Sequence, residues 1–282
     1  MSSPYKSFAV AGGGTVGLPI VNALAAKNVP VILLSRPGSA AKTVPPNVQV
    51  VEVDFSDTFQ IARALQKHNI DVVLSTLTTT AAAAQKPLVD GAKLAGVKLF
   101  VPSEFGSPTE GHTEGPLGAK NEIAAYLKSV GIPSTRIYAG LFMEFIPWLV
   151  DYGNGGKIKV VGKGDAPVSY TSIADVAGFV AHVLTTLPPS ELENRILRLE
   201  GERSSLNDLA AQFKTSVEYV DSITGEDGGL KTGLQGIMNS GGGSTGWDVV
   251  KKAEGQGNDA AGSANALWAG HRWQSIKEVH KL

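Results

Sequence analysis

The stretch Ser7-Phe-Ala-Val-Ala-Gly-Gly-Gly-Thr-Val-Gly-Leu-Pro-Ile-Val-Asn22 decides the fold. Phe8 to Ala11 is a short apolar run that fits a buried parallel strand. Gly12, Gly14 and Gly17 follow it with G-x-G-x-x-G spacing. Each glycine has a separate physical job in a dinucleotide-binding turn. Gly12 permits the tight turn, Gly14 lets backbone approach a pyrophosphate, and Gly17 lets the next helix pack closely on the strand. That helix then aims its first N–H groups and its partial positive charge at the phosphates. With Thr15 and Val16 between them, Gly12, Gly14 and Gly17 are the candidate pyrophosphate-binding residues. The alternative reading is a structural glycine turn.

Working outward, Pro30 to Ser35 reads as the second buried strand, and its end decides the cofactor. NAD-binding chains place an acid there to accept hydrogen bonds from the ribose 2′-OH. This chain has Ser35 and then Arg36, with Lys42 a few residues on. A guanidinium pairs with a 2′-phosphate, whereas a carboxylate would repel it. The expected cofactor is therefore NADP(H). The alternative for both cations is a solvated surface position.

Strands are further expected at Val48–Val53, Asp71–Leu77, Lys98–Val101 and Ser134–Ala139, and helices at Thr58–Lys67, Gln85–Ala95 and Lys120–Ser129. Alternating strands and helices predict a Rossmann-type doubly wound α/β fold with a parallel sheet. Ligands in such sheets lie beyond the carboxyl ends of the strands, so Ser75, Thr76 and Leu77 are cofactor-facing candidates, with turn chemistry as the alternative. Asp54 reads equally as an adenine contact or a helix cap. Ser107–Gly118 reads as a loop, and Gly225–Gly262 as either a mobile lid or a surface loop. Leu141–Tyr152 is a large apolar stripe, read as core or as a pocket wall. Trp247, Trp268, His271 and Trp273 are candidate packing anchors. Residues 1–139, with 172–184 returning to them, are expected to form the NADP(H)-binding domain. Residues 140–171 and 185–282 are expected to form a smaller substrate domain, with the site in the cleft between.

Composition narrows the partners. The 282 residues are 43% hydrophobic and 18% charged, with a net charge of −1. A chain of this length can bury roughly 75% of its unfolded surface. The charge balance argues against nucleic acid or an anionic membrane as partner. There is no cysteine, which removes disulfides, thiolate nucleophiles and cysteine-based zinc sites. No metal site, signal peptide or membrane span is expected, which predicts a cytoplasmic protein, monomeric or homodimeric, acting on a small molecule.

Phe100-Val-Pro-Ser-Glu-Phe-Gly106 resembles the signature of the NmrA-like, isoflavone reductase-like branch of atypical short-chain dehydrogenases. This branch includes the phenylcoumaran benzylic ether, pinoresinol–lariciresinol and isoflavone reductases and eugenol synthase. Lys120, Ile123, Gly131, Ile132, Pro133, Thr135 and Phe142 match its K-x-x-I, G-I-P-x-T and following Phe. The stretches Gly162–Val176 and Ser205–Leu209 are similar too, and the likeness runs from Phe8 to about Phe213. The resemblance implies that Arg36 and Lys42 hold the 2′-phosphate, that Ser103 and Phe142 lie near the nicotinamide, and that Lys120 is catalytic. The chain departs from the family at Gly13, where a Thr is usual, and at Ala124-Ala125, where an Arg pair is usual. Its loop before the lysine is also shorter than in the plant enzymes.

The Tyr-x-x-x-Lys pair of typical short-chain dehydrogenases is missing, because Pro116 stands four residues before Lys120. A partly buried lysine beside a charged nicotinamide has a lowered pKa and can still serve as general acid/base. The expected function is an NADPH-dependent reductase of a small aromatic or phenolic substrate. The alternative is a non-catalytic NADP(H)-sensing regulator. Glu104 and His112 are left open between structural and chemical roles.

Overall fold

The computed structural model describes residues 3–78, 84–153 and 156–282. The first half alternates β1 (Phe8–Ala11), α1 (Gly17–Ala26), β2 (Val31–Ser35), β3 (Gln49–Glu52), α2 (Thr58–Lys67), β4 (Val72–Ser75), α3 (Gln85–Ala95), β5 (Leu99–Val101), α4 (Gly115–Val130) and β6 (Thr135–Tyr138). Five parallel strands form one sheet in the order β3-β2-β1-β4-β5. Strand order reverses at β1, where β4 takes the other side, and ligands sit at such switch points. All four residues of β1 are buried, because helices cover both faces of a parallel sheet. The core there joins Ala9, Ala11, Ile32, Leu34, Val73 and Phe100 to Ile61, Leu65, Leu88, Ile123 and Leu127 from the helices.

β6 is not a full sixth strand of this sheet. It pairs with a later strand, Arg195–Arg198, and a single parallel bridge from Phe100 to Ser134 ties its start to β5. The helix carrying Lys120 begins earlier than expected. Gly115 and Pro116 open it behind Glu114, because proline is pre-organised for a first turn where its missing N–H costs nothing. The expected loop therefore ends at residue 114, and Lys120 sits in the second turn, not the first.

The remaining elements are β7 (Leu141–Phe142), α5 (Ile146–Leu149), β8 (Ile158–Val161), β9 (Val168–Thr171), α6 (Ile173–Thr186), β10 (Arg195–Arg198), β11 (Glu202–Ser204), α7 (Leu206–Gln212), β12 (Val217–Val220), α8 (Gly228–Ile237), β13 (Trp247–Asp248), β14 (Ala253–Glu254) and α9 (Ile276–His280). The chain divides into two compact units. The first holds residues 1–104, 112–137 and 176–197; the second holds 105–111, 138–175 and 198–282. Compared with the expected boundaries, 105–111 and 138–139 group with the second unit, and the returning segment spans 176–197 in place of 172–184. The second unit has its own core, with Met143, Leu149, Ile158, Val160, Tyr170, Leu209 and Ile276 among its members.

The glycine-rich stretch at 225–262 is built into regular structure. It supplies α8, a turn at Met238–Gly242 and the β13–β14 hairpin. Gly241 has φ +97, and a Cβ on it would lie 2.6 Å from the Trp247 ring. Glycine there lets the indole lie against backbone. Trp268 and His271 stack with centroids 3.5 Å apart, and Trp273 meets His271 edge-on. Among the described residues, no helix is long and apolar enough to cross a membrane.

Candidate active site

The glycine turn has the geometry its spacing predicts. Gly12 has φ +99, a region side chains avoid. Gly17 has no room for a side chain: an added Cβ would lie 1.9 Å from Gly12 O and 2.4 Å from Thr76 Oγ1. Gly14 differs from both, since an added Cβ would meet nothing within 4 Å. Its glycine is not demanded by packing or by φ, so the free space above it fits a ligand's approach. The residues Gly14, Thr15 and Val16 precede α1, where Leu18 N donates back to Gly14 O at 3.2 Å and Pro19 carries no N–H. Gly13 lies close to two neighbouring side chains. A Cβ there would crowd Leu33 Cδ2 at 3.1 Å and Lys42 Cγ at 3.3 Å. The stem of Lys42 thus runs beside the turn.

Arg36 follows β2 directly, and both it and Lys42 are exposed. Ser35 stands in register with Glu52 of β3. Among the described residues neither cation has a side-chain partner, so both are available to an anion. Asp54 is committed locally, accepting from Ser56 N at 2.8 Å and Ser56 Oγ at 2.7 Å, which holds its carboxyl below the usual carboxylate range. The cap of α2 is Asp57 instead.

The three candidates after β4 separate. Ser75 is fully enclosed, and among the described residues its hydroxyl has no partner, so its side chain does not face an open surface. It closes the sheet opposite Ala11, and burial there leaves no surface for a cofactor. The Thr76 hydroxyl lies 2.7 Å from Gly12 O and 3.0 Å from Ala11 O, bracing the turn. Leu77 keeps some exposure, and its carbonyl accepts from Ser103 Oγ at 2.7 Å. Ser103 N donates to the buried Gln85 Oε1 at 3.0 Å. Ser103 thereby ties the segment after β5 to the segment after β4. Phe142 belongs to the second unit, partly exposed in β7 with its ring 6.0 Å from Phe145. Its place beside a nicotinamide rests on the family resemblance.

Lys120 is set in a partly enclosed niche of the first unit. Its amine donates to the backbone carbonyl of Glu104 at 2.7 Å. Burial pushes its pKa below the usual lysine value, and the nearby Glu104 charge offsets only part of that. Glu104 is itself buried and paired with Arg136, Nε to Oε1 at 2.9 Å. Arg136 NH2 also reaches Asn121 Oδ1 at 3.4 Å. Asn121 in turn donates from Nδ2 to His112 O at 3.1 Å, so His112 takes part through its backbone.

Arg136, Asn121 and Gln85 are site residues that sequence reasoning did not single out. A signal for Arg136 existed. A cation inside the largely buried strand Thr135–Tyr138 calls for an acid as partner, and Glu104 in the signature run was the acid without an assignment.

The strand order, the reversal at β1 and the glycine turn together define the Rossmann type of fold. A model of the NmrA-like family matches residues 6–220, and the chain belongs to that family. Oxidoreductase BOA1 of Botryotinia fuckeliana is 34% identical over 238 residues, covering 77% of this chain and 76% of that protein. A probable pinoresinol-lariciresinol reductase 3 of Arabidopsis thaliana is 31% identical over 184 residues, covering 61% of this chain and 58% of its own length. Among solved structures, AtPrR2 with NADP+ and (+)-pinoresinol superposes with a TM-score of 0.76 at 22% identity, covering 100% of this chain and 99% of that one.

Proposed function

We propose that the protein is an NADPH-dependent reductase of a small aromatic or phenolic substrate, with Lys120 as its general acid/base. The observation that carries this reading is the lysine itself. Its amine is held 2.7 Å from a carbonyl, out of reach of full solvation, and its pKa is displaced toward the working range. An acceptor carbonyl orients the amine without neutralising it, which leaves a proton free to move to or from a substrate oxygen. The open face of Gly14 and the exposed Arg36 and Lys42 fit a dinucleotide with a 2′-phosphate. NADPH, once bound, supplies the hydride; Lys120 handles the accompanying proton. The relatives named as an oxidoreductase and a reductase favour catalysis over the regulatory alternative. In this reading the protein works in the cytoplasm as a monomer or homodimer.

The test follows NADPH oxidation against phenylpropanoid ethers, enones and quinones. Lys120→Ala is expected to lower turnover by roughly 10²–10⁴ while NADPH affinity stays within a few-fold. Lys120→Arg does not rescue, because a guanidinium stays protonated. Unchanged turnover in Lys120→Ala removes the lysine from the mechanism. Tight NADP(H) binding with no turnover across the screen, and a partner protein recovered by pull-down, would favour the regulator.

A further inference from the structure

We propose that Arg136 is a positioning residue for Lys120, clasping Glu104 with one part of its guanidinium and Asn121 with another. It thereby fixes both the carbonyl that receives the lysine amine and the helix turn that carries it. The proposal rests on the reading of Lys120 as the group that moves the proton.

The geometry is a closed loop of contacts within the first unit. Lys120 Nζ donates to Glu104 O at 2.7 Å. The same residue's carboxylate accepts from Arg136 Nε at 2.9 Å. Arg136 NH2 donates to Asn121 Oδ1 at 3.4 Å, and Asn121 follows Lys120 in α4. Asn121 Nδ2 donates to His112 O at 3.1 Å, which ties down the segment entering that helix. One planar fork from β6 therefore holds both ends of the lysine's hydrogen bond.

Stability alone gives a weak reason for such a pair. The Glu104 and Arg136 side chains are 1% and 11% exposed. Taking two charges out of water costs about as much as their attraction returns, and apolar replacements are often neutral or better. What an apolar pair would lose here is orientation and charge control. Glu104 close to Lys120 favours the protonated amine, and Arg136, 2.9 Å from that carboxylate, is placed to counter the pull. The charged groups on the elements packed around α4 are few. Lys86 and Asp90 of α3 are engaged with Glu122 and Tyr126, and Lys93 lies toward Gly131 at the far end of α4. Glu114 precedes α4, and His112 lies on the entering segment. Glu104 is the acid whose charge reaches Lys120.

The experiment measures acetylation of Lys120 by acetic anhydride against pH in the full chain, read by peptide mass spectrometry, alongside kcat and KM. Glu104→Gln removes the negative charge and keeps the shape, so the Lys120 midpoint moves down by about one pH unit. Arg136→Gln frees the Glu104 charge, so the midpoint moves up by about one unit. Turnover in Arg136→Gln falls by about tenfold or more with the KM for NADPH little changed, since misplacement strikes the chemical step. Arg136→Lys restores the midpoint but not kcat, because an ammonium lacks the fork. Midpoints that stay put, or move the same way in Glu104→Gln and Arg136→Gln, overturn the proposal. If Arg136→Gln does not fold, Arg136→Lys decides: a parental midpoint with kcat lowered about tenfold supports the clasp, and an unchanged kcat overturns it. Shifted midpoints together with an active Lys120→Ala would leave the clasp standing and end the acid/base reading. Inactive Lys120→Ala with unmoved midpoints would do the reverse.

Discussion

Between Ala11 and Gly17 the chain makes its candidate cofactor cradle from backbone. Around Lys120 it assembles a niche from side chains that arrive from β6, from α4 and from the segment after β5. The first construction is mostly local: the six residues Gly12 to Gly17 carry the turn, with Thr76 bracing it from the end of β4. The second is distributed: Glu104, Lys120, Asn121 and Arg136 come from separate segments and meet only through the tertiary fold. A backbone site tolerates little change in shape, and a side-chain site tolerates little change in charge.

That contrast breaks first at Gly17. Gly17→Val is expected to destabilise the protein by about 3 kcal/mol or more, since a side chain would have to displace Gly12 O and Thr76 Oγ1. Thermal unfolding checks it, and a melting temperature equal to the parent's would mean that the turn relaxes freely. Gly14→Val is the paired control. Its backbone has room, so the melting temperature should hold while NADPH affinity falls by about a hundredfold, or about 2.7 kcal/mol. Titration calorimetry reads this, and normal affinity would move the pyrophosphate elsewhere.

Arg36→Glu sharpens the electrostatic side. A preference for NADPH over NADH should collapse by about tenfold or more, because a carboxylate repels the 2′-phosphate. Equal affinity for both cofactors in the unmodified protein would remove the basis of that assignment. The smallest effect concerns Lys120 and pH. Its folded pKa lies below its unfolded value, so between the two the unfolded chain holds the extra proton and stability rises with pH. Below the folded pKa the cost of enclosing the cation is present in full. The stability of Lys120→Met relative to the parent should therefore decline from pH 7 to pH 10, by about 1 kcal/mol or less. Denaturant melts at the two pH values suffice, and parallel curves would mean that the amine is solvated.

The fold was legible because its signals are periodic or local. G-x-G-x-x-G spacing, buried apolar runs and alternating helices specify the parallel sheet without long-range information. Ser75 escaped this reasoning, since a position at the end of a strand does not say whether a hydroxyl points into the cleft or into the core. The start of α4 was misplaced because glycine and proline read as loop, while Pro116 in a first turn favours a helix. The glycine-rich stretch was unreadable for a related reason. Gly241 answers to the Trp247 ring, a partner that composition cannot reveal.

The interleaved course of the chain has a consequence for biosynthesis. The first unit is not finished when β6 leaves the ribosome, because it also needs residues 176–197. Phe179, Val180, Val183 and Leu184 in that segment are fully buried. At synthesis rates of roughly 5–20 residues per second, the rest of the first unit waits on the order of seconds for this apolar segment. A fragment ending near residue 139 should then expose apolar surface and depend on chaperones, however complete its glycine turn.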